Sequence, residues 1–242
     1  KLVCPENEKE CFIKGQEEIE ENTLIEGDIL PDEKQYGESR NALINPKRKW
    51  PKGIIPFAYH HGFTIEEKRF IKKQMRFIEK ETCIKFVPYD KKNPADTVVM
   101  ITNGEGCVST VGYARNQKRF LNLNQKKCLI KAGKVQHEML HVIGLLHEHS
   151  RPDRDEYVTI ITENIEPGKE NNFKKANPLE YTTFDLPYNY LSVMHYPSIA
   201  FSKDRKSPTI VPKLEVDPKI LGQRISATKL DLKKVNLMYK CS

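Results

Sequence analysis

Hydrophobic positions along the chain follow two different periods. In residues 64–80, Phe70, Ile71, Phe77 and Ile78 fall on one stripe at helical spacing, and Thr64 with Glu67 forms a capping box. That pattern predicts a packing helix to which no chemistry need be assigned. Residues 50–62 and 97–102 are short apolar runs rich in branched and aromatic side chains, which predicts strands. Residues 131–146 predict a second helix. Residues 226–239 predict a closing helix, with Ser226 in the capping position. The stretch 155–174 is loop-like apart from the apolar strip Val158, Thr159, Ile160 and Ile161. Residues 1–40 carry no long periodic segment and end among Pro31, Gly37 and polar residues, as a linker or leader does.

Composition adds a charge asymmetry to this picture. The 242 residues are 38% hydrophobic and 30% charged, ordinary values for a globular chain that can bury one good core. Residues 1–40 hold five Lys/Arg against twelve Asp/Glu, a net of −7, whereas the remainder carries a net of +14. An acidic leader joined to a basic body points to an intramolecular partner that is later shed. The basic body also suits acidic substrates or a polyanionic matrix. Nucleic acid is compatible with charge alone, but no binding motif supports it. No apolar run approaches the roughly 18 residues of a membrane span, and Lys1 would follow a removed signal peptide in a secreted protein. Six cysteines, an even number, fit an oxidising compartment.

The chemistry is concentrated between His137 and His147, which read H-E-M-L-H-V-I-G-L-L-H and fit H-E-x-x-H-x-x-G-x-x-H. On a helix His137 and His141 stand one turn apart on one face, so both imidazoles can reach a single metal ion. Glu138 lies beside them and is free to act as a base. Gly144 is the residue type that can leave a helix at positive φ, and the turn there swings His147 back as a third nitrogen. Three protein ligands with one open position describe a catalytic zinc rather than a structural one.

Two further stretches carry a resemblance. His147 to Asp155, H-E-H-S-R-P-D-R-D, is similar to the H-E-x-x-R-x-D-R-D extension of the astacins, and the S-V-M-H-Y of residues 192–196 resembles the astacin Met-turn. The resemblance runs from about Asn41 to Cys241 and reaches into the leader. It implies an α+β metzincin fold of two lobes around a cleft. The upper lobe would hold five mostly parallel strands and two long helices, and an irregular lower lobe would carry the Met-turn. It implies an acidic inhibitory pro-segment at 1–40 and a catalytic domain at 41–242. It also implies the disulfides Cys83–Cys241, Cys107–Cys128 and Cys4–Cys11.

The function so implied is that of a secreted zinc metalloendopeptidase in precursor form. One Zn²⁺ would sit on His137, His141 and His147, with Glu138 as general base. Met194 would floor the imidazoles. Tyr196 would stabilise the oxyanion and could ligate zinc at rest. Leu24 to Ile29, L-I-E-G-D-I, resembles the F-E-G-D-I element of astacin pro-segments, in which the aspartate, here Asp28, occupies the metal and keeps the zymogen silent. Activation would follow a cut after Arg40 by a trypsin-like protease, and the new terminus at Asn41 would meet Glu148 through water. The stretch 106–112, G-C-V-S-T-V-G, resembles the strand at the edge of the astacin cleft, to which a protein or peptide substrate adds as another strand. Leu221 to Arg224 resembles the meprin branch, where the arginine selects an acidic residue after the cut. The competing reading is a secreted polyanion- or matrix-binding protein with incidental hydrolase activity.

Overall fold

The computed structural model describes residues 2–3, 12–13, 24–32, 45–60, 62–179 and 181–242. The elements in chain order are β1 (Leu2–Val3), β2 (Phe12–Ile13), β3 (Ile29–Leu30), β4 (Ile54–His60), α1 (Ile65–Glu81), β5 (Lys85–Pro88), β6 (Val99–Thr102), β7 (Cys107–Thr110), β8 (Arg119–Leu123), α2 (Ala132–Ile143), β9 (Val158–Ile160), β10 (Ile210–Pro212) and α3 (Lys229–Tyr239), with short 3₁₀ turns between them.

Helix α1 starts where the capping box requires. The Thr64 hydroxyl accepts the Glu67 N–H and the Glu67 carboxylate accepts the Thr64 N–H. Its stripe buries Ile71, Met75 and Ile78 against the sheet. Helix α2 ends at Ile143 rather than reaching residue 146, because Gly144 leaves the helix at φ 127°. Its last carbonyls find partners in distant segments. Gly112 N–H donates to His141 O at 2.9 Å, Trp50 Nε1 to Val142 O at 2.7 Å, and the Tyr239 hydroxyl to Ile143 O at 2.7 Å. Helix α3 is capped by Thr228 with Asp231, two residues later than expected. Ser226 is occupied elsewhere, its hydroxyl donating to Gln136 Oε1 at 3.0 Å.

The five strands implied by the resemblance are present as β5-β4-β6-β8-β7, all parallel except β7, which runs antiparallel to β8. The sheet is larger than expected, however, with eight strands among the described residues. Strands β1 and β2 extend it beside β4, and β3 covers the outer edge of β7. All three come from residues 1–40, where the sequence showed no periodic element. Each is only two residues long and owes its conformation to the strand it pairs with, which no local pattern encodes. Likewise, Val158 to Ile160 pairs antiparallel with β10, so part of the expected loop 155–174 is a strand.

One apolar cluster fills the space between the sheet and α1, α2 and α3, with Ile55, Ile101, Leu121, Met139, Leu140, Met194 and Val235 near its centre. A second, formed by residues such as Val158, Phe173, Tyr188, Tyr196 and Ile210, underlies the irregular lower part. The division into two lobes follows from these two cores. Cys83–Cys241 ties the last residues to the end of α1, and Cys107–Cys128 joins β7 to the segment before α2. Cys4 and Cys11 lie outside the described residues, as do Arg40 and Asn41.

Candidate metal centre

Helix α2 presents His137 and His141 a turn apart, and the turn at Gly144 returns His147 to face them. All three rings are buried. Each outer nitrogen is held by a fixed acceptor. His137 Nδ1 lies 2.7 Å from Val193 O, His141 Nδ1 2.8 Å from Leu145 O, and His147 Nδ1 2.7 Å from Glu26 Oε2. With every Nδ1 donating, the three Nε2 atoms turn their lone pairs to a common point. His137 and His141 Nε2 are 3.2 Å apart. The Asp28 carboxylate completes the group at 3.0 Å from His137 Nε2 and 3.2 Å from His147 Nε2. One ligand atom from each of the four residues lies within 4.8 Å of all the others.

Such a cluster is a set of acceptors facing acceptors, and only a cation or a proton reconciles them. Asp28 Oδ1 is buried with no hydrogen-bond partner. Burial opposes charge on His147, yet Asp28 and Glu26 outweigh it and push this imidazole up to about 9. Burial, aided by the Arg224 charge, takes His137 down to about 4, and His141 is held well below its ordinary value by burial and its neighbouring imidazoles. The field that favours a proton at His147 equally favours a divalent cation. Three neutral-capable imidazoles and one carboxylate oxygen form a donor set suited to four-coordinate zinc.

Asp28 reaches the cluster from a tight turn. Ile25 and Ile29 exchange backbone hydrogen bonds, 2.8 and 3.0 Å, across Glu26 (φ 49°) and Gly27 (φ 76°). A Cβ on Gly27 would come 2.5 Å from the Phe201 ring, so glycine is required there for both conformation and space. Beyond the turn, Ser109 N–H donates to Asp28 O at 2.9 Å, and β3 pairs in parallel with β7. The β7 edge expected to receive a peptide is therefore already occupied by residues 28–30. Asp32 fastens the segment further, with its carboxylate between Arg48 and Arg119. Burial would raise its pKa, but the two guanidiniums hold it below the usual carboxylate value.

Around the cluster, Glu138 is buried and accepts the Ser109 hydroxyl at 2.7 Å. Burial and the Asp28 charge hold its carboxyl well above the usual range. The main-chain carbonyl of Met194 accepts Glu148 N–H at 2.9 Å, and the preceding Val193 O holds His137. This turn is itself fixed by Asp231 of α3, which accepts from Ser192 Oγ at 2.5 Å and Val193 N at 3.1 Å. Glu148 is fully buried and meets Lys234 Nζ at 2.6 Å, Arg151 at 3.1 Å and Asn189 N–H at 3.0 Å. The ammonium group on Glu148 in this structure is thus that of Lys234. Tyr196 stacks on His149 with ring centroids 3.8 Å apart, and its hydroxyl donates to the Glu26 carbonyl. The fourth group facing the three imidazoles is Asp28.

Arg224 lines a cavity of about 140 Å³ together with Asp28, Cys107, Lys134, His137 and Glu138. Its guanidinium donates to His195 O at 3.1 Å, and its backbone leaves no room for a Cβ on Gly133, which would approach to 2.3 Å. Several residues in these contacts were not singled out in the sequence, Lys134, Ser109, Glu26 and Asp32 among them. Lys134 adds a second cation to the cavity, and its position three residues before His137 was the available signal. Ser109 and Glu26 stand inside the two motifs already read, G-C-V-S and E-G-D. Asp32 carried no local signal.

This geometry defines a zincin-like class, a buried His₃ cluster on an H-E-x-x-H helix under a mixed sheet. The model of the peptidase family described as Astacin matches residues 42–240, and the chain belongs to that family. It is 36% identical over 238 residues to Zinc metalloproteinase nas-14 of Caenorhabditis elegans, covering 95% of this chain and 46% of that protein. To Meprin A subunit beta of Mus musculus it is 35% identical over 219 residues, 90% of this chain and 30% of that one. The chain spans less than half the length of these relatives. Among solved structures, High choriolytic enzyme 1, a hatching enzyme zinc-protease from Oryzias latipes, aligns with a TM-score of 0.70 at 32% identity, over 80% of this chain and 94% of that one.

Proposed function

We propose that this chain is a zinc-dependent metalloendopeptidase in its latent, precursor form. The observation that carries the proposal is the convergence of His137, His141 and His147 with Asp28 on one point, beside a buried carboxylate. Zinc bound there would supply Lewis acidity, polarising a peptide carbonyl and making a water acidic enough to lose its proton near neutral pH. Glu138 takes that proton and returns it to the departing amine. Ser109 holds the Glu138 carboxylate, and the Tyr196 hydroxyl is the donor available to the oxyanion once it is released from Glu26 O.

Residues 24–32 account for latency. Asp28 fills the position a substrate carbonyl or water would need, residues 28–30 cover the strand edge a peptide would use, and Asp32 fastens both to the body. A cut after Arg40 by a trypsin-like protease would leave Asn41 as the new terminus and allow the acidic 1–40 segment to depart from the basic body. The Asn41 ammonium would then approach, through water, the Glu148 carboxylate that Lys234 holds. The cations of Arg224 and Lys134 beside His137 favour an acidic side chain following the cleaved bond. The disulfides suit an extracellular setting, and no helix among the described residues is long and apolar enough to cross a membrane.

The test is peptide hydrolysis by the wild-type chain and Glu138→Ala, before and after limited trypsin treatment. Turnover should appear after treatment, vanish with chelator, return with zinc, and be absent in the variant. A Glu138→Ala chain that cleaves at the wild-type rate would remove the proposed base.

A further inference from the structure

The three imidazoles differ in what holds their outer nitrogens. His137 and His141 are held by main-chain carbonyls of the body, Val193 O and Leu145 O. His147 alone is held by a side chain, and that side chain belongs to the 24–32 segment: Glu26 Oε2, 2.7 Å from Nδ1. Glu26 is only 4% exposed and sits at φ 49°, in the left-handed region that disfavours a residue with a Cβ. A buried carboxylate on a strained backbone persists only where its partner compensates for both costs. That partner is the His147 imidazole. Asp28 faces the same ring from the other side, 3.2 Å from Nε2, so two acids of one turn clasp a single histidine.

We propose that Glu26 is a positioning residue for the metal site: by accepting the His147 Nδ1 proton it fixes the tautomer and plane of the third imidazole, so the chain with residues 24–32 docked holds zinc more tightly than it would without that carboxylate. The inference rests on the zinc reading above and deepens it. A carboxylate acceptor makes an imidazole a better donor to metal than a neutral acceptor does, and loss of such a partner typically weakens metal binding about 10- to 100-fold. The segment that blocks the site thus also completes it. Its departure uncovers the metal and at the same time deprives one ligand of its outer partner.

The test uses the full chain loaded with zinc and challenged with excess chelator, comparing wild type, Glu26→Gln and Glu26→Ala. Docking of residues 24–32 is followed separately by amide hydrogen exchange. We expect Glu26→Ala to bind zinc about 10- to 100-fold more weakly with the segment still protected. Glu26→Gln should recover part of the loss, since its side-chain carbonyl accepts the same N–H without the charge. Zinc affinity equal to wild type in both variants would overturn the proposal. So would loss of segment protection in both, which would make Glu26 an anchor rather than a positioning residue. A wild-type chain that takes up no zinc would defeat the reading of the site itself, an outcome distinct from either of these.

Discussion

At the residue scale the decisive groups are few and their environments are unequal. Glu138 is surrounded so as to be protonated easily, by burial and by the nearby Asp28 charge, while Ser109 keeps its carboxylate aimed. Glu138→Gln should keep the fold and lower turnover of the activated enzyme at least a hundredfold, in line with removal of a positioned acid–base group. Asp28→Ala should do the reverse in the precursor, giving measurable peptide hydrolysis without any cut. A variant as silent as wild type would show that covering the β7 edge suffices for latency. The histidines were legible in the sequence because their spacing is local: one helical turn, then one glycine turn. Glu26 and Asp32 were not, because Glu26 meets a partner 121 positions away and Asp32 partners 16 and 87 positions away. The Lys234 to Glu148 contact, 86 positions apart, escaped for the same reason. Only the fold brings such pairs together, and nothing in the local sequence around one residue names the other.

At the element scale the critical junction is the end of α2. Gly144 adopts φ 127°, and a Cβ there would lie 2.6 Å from the Met238 methyl of α3. Gly144→Ala should therefore destabilise the fold by about 1–3 kcal/mol, read as a fall in thermal midpoint. It should weaken zinc binding as well, because the turn sets the third imidazole. An unchanged midpoint would mean that the turn is not under the constraint described. The extents of α1 and α2 were largely readable from capping and periodicity, whereas β1, β2, β3, β9 and β10 were not. Two- and three-residue strands are defined by the neighbour they pair with, and the sequence of either partner alone is too short to announce it.

At the scale of the whole molecule, an acidic segment lies on a basic body, with Asp32 held between Arg48 and Arg119. Asp32 has a lower pKa docked than free, so its contribution to docking is complete above the free value of about 3.9 and is lost as pH falls through the docked value. Proteolytic susceptibility of residues 24–32 should thus be flat from neutral pH down to about 5 and rise below about 4. In Asp32→Asn that acid transition should be much reduced. Specificity also belongs to this scale, because the cavity beside Arg224 and Lys134 brings together α2, β7, the 24–32 segment and the segment before α3. Cleavage of a peptide library should enrich Asp and Glu directly after the cut, and Arg224→Ala should flatten that enrichment about tenfold or more.

The central claim is that His137, His141, His147 and Asp28 share one metal ion in the intact chain. X-ray absorption at the zinc edge of that chain tests it most directly. The account predicts one zinc per chain with three imidazole nitrogens and one carboxylate oxygen at about 2.0–2.2 Å, the oxygen being replaced on Asp28→Ala. Zinc bound without imidazoles, or none retained after purification in its presence, would contradict it.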